Sequence, residues 1–222
     1  MSTVLVFAPH PDDETLGCGG TLLRHRSEGD VVSWCIATKI TKEAGYSAQR
    51  VQSREQEIAA VASAYDFASV HRLPHLTTRL DQVAVGDLIA DIARIVDEVR
   101  PETIYLPFCG DVHSDHGVVF NAVVPCSKSF RHPFVRKVRV YETLSETEFA
   151  LRPDGAIFRP NLWVDISAHL ERKIEIMELY AGEMGEHPFP RSAQNIRALA
   201  GYRGTTAGCL AAEAFMSLKE VI

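Results

Sequence analysis

Two short stretches set histidines among carboxylates: Ala8-Pro9-His10-Pro11-Asp12-Asp13-Glu14 and Asp111-Val112-His113-Ser114-Asp115-His116. His10 and Asp13 are three apart across a turn stiffened by Pro9 and Pro11, so one turn can aim both side chains at a common point. His113 and His116 have the same spacing, which at a helix start puts them on one face. Two imidazoles and one carboxylate form the ligand set of an open catalytic zinc site, with the fourth position left to water. The same donor set also suits non-haem iron(II). Such an ion brings the pKa of a water from 15.7 towards about 7. A remaining carboxylate, Asp12 or Glu14, could take the water's proton, and a remaining histidine could stabilise an oxyanion or protonate a leaving group. These are the parts needed to hydrolyse an amide or ester. Spacing alone leaves open which of Asp12 and Asp13 meets the metal.

The elements that must hold these residues are legible as periodicity. Thr3–Ala8 is a continuous apolar run, the pattern of a strand buried on both faces. Val31–Thr38, Val70–Leu73, Thr103–Leu106, Val138–Glu142 and Leu162–Ile166 read as further strands. Helices are predicted over Thr21–Glu28, Ser53–Tyr65, Val85–Val99, His116–Phe130, Ala168–Met184 and Thr206–Leu218, with Pro9–Gly20 a loop. Strands alternating with helices favour a single α/β domain whose mainly parallel sheet carries helices on both faces. Each histidine cluster then follows the carboxyl end of a strand, where such sheets keep their ligand sites. Right-handed crossovers can bring the two strand ends together although they lie about a hundred residues apart in sequence.

Composition narrows the function classes. Of 222 residues, 46% are hydrophobic and 23% charged, which excludes a disordered or fibrous chain. The net charge of −6 argues against non-specific nucleic-acid binding, which needs clustered positive charge. No apolar run is long enough to span a membrane, and the N-terminus reaches paired acids by Asp12 without a basic leader. The five cysteines include no CxxC pair, so a reduced, cytoplasmic protein without a disulfide framework is expected. A homo-oligomer is compatible with all of this.

Taken together, APHPDDE after the first strand and HSDH about a hundred residues later resemble the LmbE-like/PIG-L family of zinc-dependent de-N-acetylases. Ser53-Arg54-Glu55-Gln56-Glu57, Tyr141-Glu142, Val164-Asp165-Ile166, Tyr202-Arg203-Gly204 and Ala212-Glu213-Ala214-Phe215 extend the similarity over nearly the whole chain. The resemblance implies a Rossmann-like fold and removal of an acetyl group from an N-acetylamino sugar, nucleotide sugar or glycoconjugate. It implies His10, Asp13 and His116 as ligands of Zn2+, with Fe2+ or another divalent ion as the alternative. Asp12 becomes the general base, His113 the residue that stabilises the oxyanion and assists amine departure, and Asp115 its tuning partner. Arg54, Glu57 and Arg203 become substrate-binding residues. The chain departs from the pattern at Ser114, where relatives often carry proline.

Each of these features has a plainer reading. The acidic turn could be a solvated helix cap, and Arg54 with Glu57 a surface pair worth about 0.2–0.5 kcal/mol. Gly17-Cys18-Gly19-Gly20 raises a nucleotide-binding oxidoreductase as an alternative. The dinucleotide fingerprint would need glycine where Leu22 stands, and Cys35-Ile36-Ala37-Thr38 offers no acidic partner. A non-catalytic sugar-binding protein is the other alternative, but it would have no need of a base beside a metal. Thr38–Gln52, His75–Gln82, Arg131–Arg136 and Met184–Ser192 are the segments expected to select the substrate.

Overall fold

The computed structural model describes residues 1–151 and 155–222. In β1 (Thr3–Ala8), Val4, Val6 and Ala8 enter one apolar cluster while Leu5 and Phe7 enter another, so the strand is buried on both faces. The chain continues through α1 (Asp13–Ser27), β2 (Val31–Lys39), α2 (Ala48–Tyr65), β3 (Ser69–Leu76), α3 (Val85–Val99) and β4 (Thr103–Pro107). It then forms α4 (Ser114–Val123), β5 (Lys137–Tyr141), β6 (Leu162–Asp165), α5 (Leu170–Met177), α6 (Ala193–Ala207) and β7 (Ala212–Glu220). One seven-stranded sheet results, in the order β3-β2-β1-β4-β5-β7-β6.

Strands β1 to β5 pair in parallel, whereas β7 runs antiparallel to both β5 and β6. Helices cover both faces: α1, α2 and α5 pack on the Val4/Val6 side, α3 and α4 on the Leu5/Phe7 side. The sheet thus has the expected α/β architecture, parallel except for β7, which lies between β5 and β6. Because β1 leads outward to β2 and β3 while β4 returns to its other side, the order reverses between β1 and β4. The loops after these two strands therefore face one crevice.

Five expected elements are corrected. The Pro9–Gly20 stretch is not all loop: α1 begins at Asp13 and runs through the glycines with a break at Cys18 (φ −143°, ψ 19°). The break is closed by a buried ion pair. Glu213 accepts from the amides of Gly20 (2.9 Å) and Thr21 (2.7 Å), and Lys173 donates to the Leu16 carbonyl (2.9 Å) and to Glu213 (2.7 Å). The glycines exist for contact. A Cβ on Gly17 would lie 2.1 Å from the Tyr141 ring, and one on Gly20 2.8 Å from Ile166. They lie inside α1 and not in a loop between strand and helix, which removes the motif behind the oxidoreductase alternative.

The predicted helix over Thr206–Leu218 is also wrong. Gly208 ends α6 in the left-handed conformation (φ 73°), and the next residues become β7, inserted between β5 and β6. Helix α4 gives way to a 3₁₀ turn at Val124–Ser127, containing Pro125, instead of running to Phe130. Helix α5 spans only Leu170–Met177 of the expected Ala168–Met184. Strand β3 outruns its predicted length and includes Pro74, tolerated because β3 is an edge strand.

Candidate active site

The turn after β1 carries His10, Pro11 and Asp12, and Asp13 opens α1. The loop after β4 carries His113 as the N-cap of α4, with Asp115 and His116 in its first turn. Since β1 and β4 are hydrogen-bonded neighbours, the two clusters meet. The His10 and His116 rings lie 5.6 Å apart, and the His10 and His113 rings 4.3 Å apart. Asp13 bridges two imidazoles, with Oδ2 3.2 Å from His10 Nδ1 and Oδ1 3.3 Å from His116 Nε2.

The donor set fits a divalent metal. One donor atom from each of His10, Asp13 and His116 falls within 4.8 Å of the others. His116 Nε2 is buried and makes no hydrogen bond of good geometry even with Asp13 Oδ1 at 3.3 Å, a cost that an ion at this point would remove. Behind it, His116 Nδ1 lies 2.7 Å from Asp111 Oδ2, and Asp111 in turn accepts from Thr147 Oγ1 (2.6 Å). Such a carboxylate fixes the imidazole tautomer with the opposite nitrogen bare. A second set of donors, His10, His113 and Asp115, lies equally close together.

These residues form one end of a cavity of about 330 Å³, lined by His10, Asp12, Asp13 and His113 together with Arg54, Tyr46, Glu146, Glu183 and Arg191. Its size suits a small ligand. Of the two carboxylates left open as proton acceptors, only Asp12 lines it. Glu14 is 0% exposed and bonded to Thr15 Oγ1 and Tyr180 Oη, each at 2.6 Å.

The N-terminal half of the chain, with both histidine clusters, matches the family described as PIG-L, GlcNAc-PI de-N-acetylase, over residues 5–127. The chain belongs to the PIG-L family. A probable N-acetyl-alpha-D-glucosaminyl L-malate deacetylase 2 of Bacillus subtilis (strain 168) is 30% identical over 130 residues, which span 54% of this chain and 58% of that protein. A conserved protein from Thermus thermophilus superposes with a TM-score of 0.79 at 26% identity, covering 100% of this chain and 97% of the other. N,N'-diacetylchitobiose deacetylase from Pyrococcus horikoshii has the same fold, with a TM-score of 0.77 at 18% identity over 97% of this chain and 83% of that one.

Within this PIG-L chain, burial and charge set the state of each group. Burial opposes ionisation of Asp13, but the His116 and His10 imidazoles outweigh it and hold its carboxyl well below the usual range. Burial pushes Asp12 up, and the charges of Asp13 and Glu183 push it further. Burial and the neighbouring His10 lower His113 to about 4. Its Nδ1 accepts from the Asp115 amide (3.2 Å), so the neutral ring carries its proton on Nε2. Asp115 therefore hydrogen-bonds His113 through its backbone amide, while the charge of its carboxylate opposes the lowering of His113. Its carboxylate instead binds His10 Nε2 (3.0 Å) and the amides of Thr78 (2.7 Å) and Leu80 (3.2 Å).

The other expected residues divide. Arg54 reaches the cavity, but as a brace: it donates to the Pro11 carbonyl (2.6 Å) and pairs with Glu57 (3.2 Å) and Glu183. Arg203 stands apart. It holds Glu142 through two bonds (2.8 and 2.6 Å) beside a separate cavity lined by Phe108, Phe158 and Leu199. Arg191, within the Met184–Ser192 segment expected to select the substrate but not singled out there, has Nη1 3.1 Å from Asp12 Oδ2, and Glu183, not anticipated from the sequence, joins Arg50, Arg54 and Arg191. Neither carries a local signal, because each acts across more than a hundred residues of chain.

Proposed function

We propose that this protein is a metal-dependent, zinc-using amide hydrolase that removes the acetyl group from an N-acetylamino sugar or sugar conjugate. The convergence of His10, Asp13 and His116, of which His10 and Asp13 line the cavity beside Asp12 and His113, carries this reading. The names of the relatives point the same way: one is a probable N-acetylglucosaminyl malate deacetylase and another a diacetylchitobiose deacetylase.

A zinc ion held by His10, Asp13 and His116 would supply Lewis acidity to a carbonyl and to water at neutral pH. Asp12 takes a proton from the attacking water, whose oxygen bonds to the acetyl carbon. His113, neutral with its proton on Nε2, donates a hydrogen bond to the oxygen that becomes negative. The proton held by Asp12 then passes to the departing nitrogen as the C–N bond breaks, giving acetate and a free amine. Arg54, Glu183 and Arg191 line the cavity beside Asp12, where the sugar would lie. Arg203, held on Glu142 away from this cavity, has no part in the scheme.

Acetate release from N-acetylglucosaminyl L-malate, N,N'-diacetylchitobiose and N-acetylglucosamine by the zinc-loaded protein tests this reading. Equimolar acetate and amine from at least one of them is expected. Zinc-loaded, folded protein that releases acetate from no N-acetylated sugar would refute it.

A further inference from the structure

Asp12 has φ 140° and ψ −28°, a backbone conformation that L-residues rarely adopt and that persists only where its surroundings over-determine it. Several contacts fix the turn around it. The Pro9 carbonyl accepts from Thr38 N (3.1 Å) and Oγ1 (2.7 Å), and the Pro11 carbonyl accepts from Arg54. The Asp12 carbonyl accepts from the amides of Thr15 (3.0 Å) and Leu16 (2.9 Å), opening α1. The amide of Asp12 donates inward, to Glu14 Oε2 at 3.2 Å.

Glu14 is a buried carboxylate that lines no part of the cavity and stands among none of the candidate metal ligands. Burying it costs desolvation that an apolar residue would avoid. The carboxylate offers an acceptor for the Asp12 amide, and it is itself fixed: Tyr180 Oη and Thr15 Oγ1 both donate to Oε1, and Tyr65 Oη donates to Thr15 (3.2 Å). Tyr180 comes from the turn after α5, so a distant element sets the orientation of Glu14.

We infer that Glu14, oriented by Tyr180 and Thr15, is a positioning residue that holds the Asp12 backbone in its left-handed conformation and so aims the carboxylate of Asp12 into the cavity. The inference rests on the reading of Asp12 as the base.

Glu14→Ala and Tyr180→Phe test it, with Glu14→Gln as the conservative variant that keeps an acceptor oxygen. In zinc-loaded protein below its melting temperature, kcat is expected to fall about 100-fold in Glu14→Ala and about 10-fold in Tyr180→Phe, the scale of a small misplacement of a catalytic group. KM and zinc affinity should stay within about 3-fold of wild type, well short of the 10–100-fold loss typical of damage to a metal site. Glu14→Gln should recover part of the loss. In an Asp12→Asn background, Tyr180→Phe should have no further effect. A crystal structure of Glu14→Ala should show Asp12 relaxed to negative φ.

Asp12 still near φ 140° in that crystal would overturn the inference whether or not the wild type deacetylates sugars. So would an unchanged kcat in Tyr180→Phe, or a zinc affinity that falls in step with kcat. If Glu14→Ala does not fold, Tyr180→Phe decides, through its kinetics and its own crystal structure. The proposed function fails on a different result, an inactive zinc-loaded wild type.

Discussion

The guanidinium of Arg191 and the carboxylate of Asp12 are joined at 3.1 Å across 179 residues of sequence. Arg191 reaches on to Glu183 (3.4 Å), which also receives Arg50 and Arg54. The group best placed to act as base is thus one end of a charged network that lines the cavity.

This network fixes the direction of a pH effect. Burial and the charges of Asp13 and Glu183 raise Asp12, and Arg191 lowers it. Asp12 must be ionised to accept a proton, so activity falls as pH drops through its pKa. Arg191→Ala removes the lowering influence, and the acidic limb of the kcat–pH profile should move to higher pH. Arg191→Lys should move it less. Superimposable acidic limbs for wild type and Arg191→Ala would show that the pair does not tune the base.

Metal binding should release protons. Burial lowers His10, but its bonds to Asp115 and Asp13 outweigh this and raise it to about 9 in the metal-free protein. A ligand imidazole must be neutral, so zinc displaces that proton and apparent affinity should tighten as pH rises towards about 9. Calorimetric titration of zinc in buffers of different ionisation enthalpy measures the protons released. For the chelated protein the linkage runs the other way. Its folded-state His10 lies above the ordinary value of 6.5, so the stabilisation is complete below pH 6.5 and lost as pH rises through about 9. Urea melts of chelated protein across this interval should show stability falling.

The Lys173–Glu213 pair should behave as the seam of α1. Both side chains are about 95% buried, and each satisfies backbone groups released by the break at Cys18. Removing one partner leaves an uncompensated buried charge, at a cost of roughly 3–5 kcal/mol. Lys173→Met and Glu213→Gln should each lower the melting temperature by about 6–20 °C, at ~2–4 °C per kcal/mol for a domain of this size. The double variant should lose less than the sum of the two. Additive losses would mean that the pair does not act as a unit.

Much of this was legible in the sequence where the signal is local. The alternating faces of β1 follow from its unbroken apolar run, and Val85–Val99 is a helix as its periodicity predicts. The metal-ligand candidates could be found because two spacings of three residues sit beside strand ends. The failures are equally physical. The β7 segment contains Ala212 and Ala214, residues that suit a helix, and becomes a strand because it has partners on both sides, β5 and β6. The break in α1 depends on Lys173 and Glu213, far along the chain. Arg203 stands in a stretch that reads as similar to the family yet serves Glu142, and such a stretch does not show which way a side chain points. Asp111 lay in view five residues before His116, but its contact through Nδ1 needed coordinates.

On the proposed function, a single divalent ion held by His10, Asp13 and His116 makes this a sugar deacetylase. The most direct measurement is acetate release by chelator-treated protein as zinc is added back in sub-stoichiometric steps. No turnover is expected without metal, with a linear rise that saturates at one equivalent and no restoration in Asp13→Ala or His116→Ala. Full acetate release by metal-free protein, or one-equivalent restoration in the His116→Ala variant, would contradict the proposed function.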